Sequence, residues 1–292
     1  DNGDSVETLM ANADNAMYQA KATGQGSATF FTEEMNIRLR ERMQMEQDLN
    51  QAIELGQLAL HFQPIFGTAG QLHRGAEVLL RWHHPEKGTI SPAVFIPLAE
   101  ASGQIVAIGD WVLEQACKNW SSWRDQGVDH GFLAVNISRI QFRKRLSKRI
   151  VELMETYGVP STALELEITE SVLLDDHKQV AEELIALRAI GMTLSLDDFG
   201  TGYSSLTYLS QLPLDQLKID QSFVRNIGIN RSDGIIIQTI IGMANTLVIE
   251  VIAEGVEVES QREFLEQFGC HTCQGFLFGK PIPLKEFELL LL

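Results

Sequence analysis

The residues best suited to chemistry in this chain are carboxylates set at the ends of short apolar runs. Glu167 follows the run 164–166, Asp197 and Asp198 close 193–196, and Glu254 follows 248–253. Asn136 ends 132–135, while Glu77 lies within 75–82 and Lys218 within 216–219. From Glu77 through Asn136, Glu167, Asp197, Lys218 and Glu254 the steps are 59, 31, 30, 21 and 36 residues. A step near thirty residues is one strand-plus-helix unit, and the first step spans about two of them. Any single acid at a strand end could be solvated or cap the next helix. The whole set, with Asn and Lys at matching points, needs another reason. Crowded carboxylates raise one another's pKa and destabilise a fold unless cations compensate them. Asp, Glu and the Asn carbonyl are hard ligands that suit Mg²⁺ or Mn²⁺. Neighbouring Asp197 and Asp198, with Asp197 able to bridge, suggest two ions, an arrangement that clamps the attacking and leaving oxygens of a phosphodiester. Lys218 would add one positive charge to hold a water or a phosphate oxygen.

The elements that must position these groups are short strands alternating with amphipathic helices. Strand-like runs fall at 58–65, 75–82, 132–135, 164–168, 193–196, 216–219 and 248–253, and helical periodicity at 106–123, 140–157, 177–190, 203–211, 221–246 and 257–268. Repeated β-then-α units imply a mainly parallel sheet. About 240 residues of this pattern match a closed (β/α)8 barrel, whose usual size is about 250 residues and whose active sites lie at the C-terminal mouth. An open doubly wound sheet is the rival, weakened because no G-x-G-x-x-G turn follows an early strand. Upstream, a helix reads from Val6 to Ala20, capped by Ser5 and ended by Gly24, followed by a β-like patch at 28–31. That unit is too small to bury its own apolar face. Residues 33–56 form a second helix with a narrow apolar stripe, read as a connecting helix docked on one face, since sustained heptads are absent.

Composition sets the outer limits. The 292 residues carry 39 Asp+Glu against 23 Lys+Arg, a formal charge of −16, with 45% apolar residues. That is globular, and too acidic for a nucleic-acid polymer or an anionic membrane surface as partner. Three cysteines, Cys117, Cys270 and Cys273, are too few for a disulfide framework, which suits a reducing, cytoplasmic setting. The most apolar stretch, 234–253, is broken by Gln238, Thr239, Asn245, Thr246 and Glu250 and is read as helix then strand, not as a membrane span. The chain opens DNGDS, with no signal peptide and no Met, as a piece of a longer protein would. Cys270-x-x-Cys273 lacks a second ligand pair and is read as packing; His83 and His84 are read as satisfied or exposed residues; the basic run Arg143 to Arg149 is read as a solvated helix face.

The motifs HFQPI (61–65), EVLLRW (77–82), FIPLAE (95–100), NISRIQF (136–142), LELEITES (164–171), DDFGTGYSSL (197–206), LKID (217–220), AEGVE (253–257) and QGFLFGKP (274–281) resemble, in order and spacing, those of the EAL domain, the family of cyclic di-GMP phosphodiesterases. The resemblance covers residues 49–292. ADNAMYQAK (13–21) is similar to the last helix of a GGDEF domain, so residues 1–32 are expected to be the tail of one, and 33–48 a linker helix. The resemblance implies a barrel that hydrolyses cyclic di-GMP to linear pGpG with two Mg²⁺ or Mn²⁺ ions. Its metal ligands would be Glu77, Asn136, Glu167, Asp197 and Asp198, with Glu254 at the metal and water site and, in one version, the general base. Lys218 would contact the attacking water and Gln274 would support the site. Arg81 would meet a phosphate, and Gln63, Leu79, Asp220 and Gln274 would help hold substrate. Glu170 and Glu257 would anchor the loop after Asp198, whose two glycines suit a mobile element. A homodimer through this domain is expected. Val78 replaces the Ala of the signature triplet, Val258 a usual Thr, and Phe276 takes the place of the usual aromatic after Gln274; no metal ligand is lost. A receptor that binds cyclic di-GMP without cutting it, and an unrelated metal-dependent barrel hydrolase, are the alternatives.

Overall fold

Among the described residues ten strands, most of them rich in Leu, Val and Ile, build one sheet, and eight of them close it into a barrel. In this computed structural model, residues 32–67, 73–128, 130–170, 172, 177–200 and 212–291 are described, with Ser5, Val6, Met10 and Met17 besides. The barrel strands are β1 (Leu58–Gly67), β2 (His73–His84), β4 (Phe132–Asn136), β5 (Leu164–Thr169), β6 (Thr193–Phe199), β7 (Gln216–Ile219), β8 (Glu250–Ala253) and β9 (Thr272–Gln274). They neighbour one another in that order, and β1 closes the ring onto β9. From β2 to β9 the pairs are parallel, as the repeated units predict. β1 departs from that pattern: it runs antiparallel to both neighbours, β2 and β9. The reason is chain length, because a parallel crossover needs a dozen or more residues and the β1–β2 connection is shorter. β3 (Gly88–Ile90) and β10 (Ile282–Pro283) extend the sheet antiparallel to β2 and β1.

The helices α1 (Glu33–Gln51), α2 (Pro92–Ser102), α3 (Ile105–Asp125), α4 (Leu146–Tyr157), α5 (His177–Ile190), α6 (Gln221–Arg225), α7 (Arg231–Leu247), α8 (Glu259–Gln267) and α9 (Leu284–Leu291) join these strands. The apolar core fills the space between barrel and helices. At one end of it Phe62, Trp123 and Phe287 pack ring to ring, with centroids 5.2–5.6 Å apart. α1 docks only by its C-terminal end: Leu49 and Ala52 are buried, and Asp48 accepts from His84 Nε2 at 3.1 Å. Both nitrogens of His84 are engaged, since Nδ1 accepts from the Glu86 and Lys87 amides, and His83 meets Thr89 Oγ1. Among the described residues no single helix is long and apolar enough to cross a membrane.

Several boundaries differ from the periodicity. The helix expected at 221–246 is two helices, α6 and α7. The one expected at 140–157 starts at Leu146, after a 3-10 turn at Gln141–Lys144, because Arg145 takes a left-handed backbone with φ of 55°. Val248, expected to open a strand, ends α7 with φ of 59°. α2, β9 and α9 were hidden from the pattern by their shortness or unbroken apolarity. Apart from Val6, Met10 and Met17, the upstream helix lies outside the described residues, as do the 28–31 patch and the helix at 203–211. Cys117, Cys270 and Cys273 are free and buried, the last on β9.

Candidate active site

Successive residues of a strand face opposite ways, so groups two apart share the lumen face. Gln63 on β1 lies directly opposite Glu77 on β2, and Asn136 pairs with Glu167 across β4 and β5. At their centre stands Lys218, fully buried. Its Nζ is 2.6 Å from Glu167 Oε1 and 2.6 Å from Glu254 Oε1, and 3.7 Å from both Glu77 Oε2 and Asp197 Oδ1. Glu77 is held by amides on two sides: Asn136 Nδ2 donates to its Oε1 at 2.7 Å and Gln274 Nε2 to its Oε2 at 2.6 Å. Gln274 Nε2 also reaches Gln63 Oε1 at 3.0 Å, and Gln63 Nε2 donates to the Gly279 carbonyl at 3.1 Å.

Asp197 and Asp198 are adjacent in sequence and would point to opposite faces of a regular strand. The pairing of β6 with β7 shifts register between Leu196 and Phe199, and Asp198 adopts φ of 55°. That bulge turns both carboxylates to the mouth, as bulges next to active sites commonly do. Oxygens of Asp197, Asp198 and Glu254 lie within 4.8 Å of one another, a spacing that a metal ion can bridge.

One lysine cannot neutralise so many acids. Burial pushes the Glu254 carboxyl up to about 8, against the pull of Lys218. Burial and the Asp197 charge push Asp198 up to about 6, and burial sends Glu167 well above the usual carboxylate range. For Glu77 burial acts the same way, but Lys218 and the donors Gln274 and Asn136 outweigh it and hold the group below its ordinary value. Lys218 stays charged: burial disfavours the ammonium, and the surrounding carboxylates raise its pKa far more. A surplus of oxygen ligands around a shared centre, with Gln274 Oε1 still unpartnered among the described residues, fits hard divalent cations.

Above this cluster is a cavity of about 250 Å³ lined by Gln63, Glu77, Leu79, Asp197, Glu254, Glu257 and Gln274. A second, of about 570 Å³, adjoins it at Leu79 and is lined by Arg81, Asn136, Glu100 and Arg139 among apolar residues of α2 and α3. Most residues singled out from sequence therefore converge. Asp220 sits apart from both linings and caps α6, its Oδ1 accepting from the Ser222 amide at 3.0 Å. Glu170 is buried at the end of β5 with both oxygens unpartnered among the described residues. The loop it was expected to anchor, 201–211, lies outside them. Sequence reasoning missed Gln221 and Arg225, which line the first cavity, and noted Phe276, which also lines it, only as a departure from the family pattern. Gln221 and Arg225 follow the strand end at Asp220 one helical turn apart, which was the available signal.

The family model of the EAL domain matches residues 46–281. The chain belongs to the EAL domain family. Over 97% of its length it is 42% identical to MucR of Pseudomonas aeruginosa, described as a bifunctional diguanylate cyclase/cyclic di-GMP phosphodiesterase, and covers 42% of that protein. Over 98% it is 43% identical to the cyclic di-GMP phosphodiesterase NbdA of the same organism, covering 37% of it. The EAL chain thus spans less than half the length of these curated relatives. The solved PaMucR phosphodiesterase in complex with c-di-GMP superposes with a TM-score of 0.80 at 42% identity, covering 84% of this chain and 99% of that one.

Proposed function

We propose that this chain hydrolyses cyclic di-GMP to linear pGpG with the help of two Mg²⁺ or Mn²⁺ ions, as one domain of a longer signalling protein. The observation that carries the reading is the complete ligand set Glu77, Asn136, Glu167, Asp197, Asp198 and Glu254 gathered around Lys218. The two adjoining cavities, which share Leu79, suit a ligand made of two like halves, with Arg81 lining the second and Gln63 and Gln274 the first as further substrate contacts, and with Asp220 acting through α6, whose Gln221 and Arg225 line the first.

When bound, the ions polarise a phosphoryl oxygen and make water more acidic. The protein's own groups then do the following. Lys218, fixed between Glu167 and Glu254, donates to the attacking water or to a phosphoryl oxygen and so stabilises developing negative charge. Glu254 accepts a proton from the water at its carboxylate. The water oxygen bonds to phosphorus, the P–O3′ bond breaks, and the freed 3′ oxygen takes up the proton that Glu254 had accepted, passed on directly or through solvent, so that Glu254 returns to its carboxylate form. Gln274 and Asn136 hold Glu77 in place throughout. Glu170 and Glu257 anchor the loop that follows Asp198.

The reading extends to the rest of the chain. Residues 1–32 are the end of a GGDEF domain, 33–48 a linker helix and 49–292 the EAL domain; MucR, whose name couples the two activities, supports this. The domain works in the cytoplasm as a homodimer, without membrane or nucleic-acid contact of its own. Incubation with cyclic di-GMP and Mg²⁺ should release pGpG, resolved by liquid chromatography, and Glu77→Ala should abolish it. Full turnover by that variant would sink the metal assignment. Binding without turnover by the unmutated protein would instead select a receptor.

A further inference from the structure

Asn136 is exposed at the end of β4, where a strand terminus frays unless something holds it. Its Nδ2 is committed to Glu77, and the next residue's amide, of Ile137, donates to the Glu167 carbonyl at 2.8 Å. Beyond that the chain turns, and the turn is locked by side chains. Ser138 N donates to Gln141 Oε1 at 3.0 Å, Gln141 N to the Ser138 carbonyl at 3.0 Å, and Ser138 Oγ to Glu100 Oε1 at 2.7 Å. Gln141 is 3% exposed, and its Nε2 has no partner among the described residues. An unpaired buried amide costs about 1–3 kcal/mol, so packing alone does not explain a glutamine here. Its amide lies flat on bare backbone of α3: a Cβ at Gly109 would fall 2.3 Å from Nε2 and 2.5 Å from Cδ.

We infer that Gln141, seated against Gly109, is a positioning residue that sets the Asn136 carbonyl oxygen for its metal ion by fixing the Ser138 turn. The inference rests on the reading of Asn136 as a metal ligand. Outer partners of metal ligands typically contribute 10–100-fold to metal affinity.

The test is Mn²⁺ titration followed by electron paramagnetic resonance, with thermal melting as the control for folding. Gln141→Ala is expected to weaken Mn²⁺ at least about tenfold. Gly109→Ala, which displaces the amide while leaving it present, is expected to do likewise. In the Gln141→Ala background the space is vacant, so adding Gly109→Ala should cause no further loss, a non-additivity that general destabilisation would not give. Should Gln141→Ala fail to fold, Gly109→Ala alone decides, with unchanged Mn²⁺ affinity overturning the inference. Asn136→Ala separates the two readings. If it binds Mn²⁺ like the parent, the ligand assignment fails. If it weakens Mn²⁺ while Gln141→Ala and Gly109→Ala do not, the positioning role fails.

Discussion

At the scale of the residue, the lumen carries more buried acid than the metal site accounts for. Glu165 lies two residues before Glu167 on β5 and shares its face; it is 1% exposed, and Oε1 has no partner among the described residues. Burial pushes its carboxyl up to about 8 from 4.5, against Lys218. Between those values the folded protein holds a proton that the unfolded chain has released. Stability should therefore fall as pH rises through that window, by up to about 1.4 kcal/mol per pH unit. Urea midpoints of metal-free protein from pH 5 to 8 should fall with pH through the joint action of Glu165 and the raised acids of the site, and Glu165→Gln should make the fall shallower by its own share; parallel curves for the two proteins would refute the assignment. The contrast with Glu77 shows how far residues were legible. Acids at strand ends announced themselves by spacing. Which acid would be held down by Lys218 and amide donors and which pushed up by burial depended on partners from other strands such as Gln274, and the sequence does not display those. The bulge that brings Asp198 beside Asp197 was equally invisible, because strand alternation predicts the opposite.

At the scale of the element, the parallel strands were legible because each is a short apolar run followed by a helical repeat. β9 was not, because Thr272–Gln274 is three residues long and owes its existence to neighbours on both sides. Its end is also tightly fitted against backbone. A Cβ at Gly275 would lie 2.2 Å from the Val256 carbonyl oxygen and 2.3 Å from its nitrogen, both backbone atoms. The segment cannot give way there, since Val256 N donates to the Gln274 carbonyl and Leu277 N to that of Val256. Gly275→Ala should cost about 3 kcal/mol, lower the melting temperature by several degrees and, by shifting Gln274 off Glu77, cut hydrolysis sharply. Gly242, exposed on α7 with nothing within 4 Å of an added Cβ, supplies the opposite case. Gly242→Ala should stabilise by about 0.5–1 kcal/mol at unchanged activity. Calorimetry and the pGpG assay on the two variants check both signs; a neutral Gly275→Ala would mean that β9 does not position the site.

At the scale of the whole molecule, the formal charge of −16 excluded polyanions from the outset. It does not exclude a ligand with two phosphates, because the relevant balance is local. Glu77, Glu167, Asp197, Asp198 and Glu254 stand against Lys218, formally −4, and two divalent cations bring that to about zero. Without them a dianionic ligand would enter a field of its own sign, and the acids must retain protons to relieve their crowding. Cations that bind only the folded state stabilise it, by about 2.7 kcal/mol at a hundredfold excess over Kd. Mg²⁺ or Mn²⁺ should thus raise the melting midpoint over that in EDTA. The shift should persist in 0.15 M NaCl, since buried ligands are little screened by salt, and vanish in an Asp197→Asn, Asp198→Asn variant. Cyclic di-GMP, or the pGpG formed from it, should raise the midpoint with Mn²⁺ present, and cyclic di-GMP should leave it unchanged in EDTA. A ligand-induced shift of equal size in EDTA would show that the acidic mouth is screened by groups other than metal, and the local charge balance would have to be redrawn.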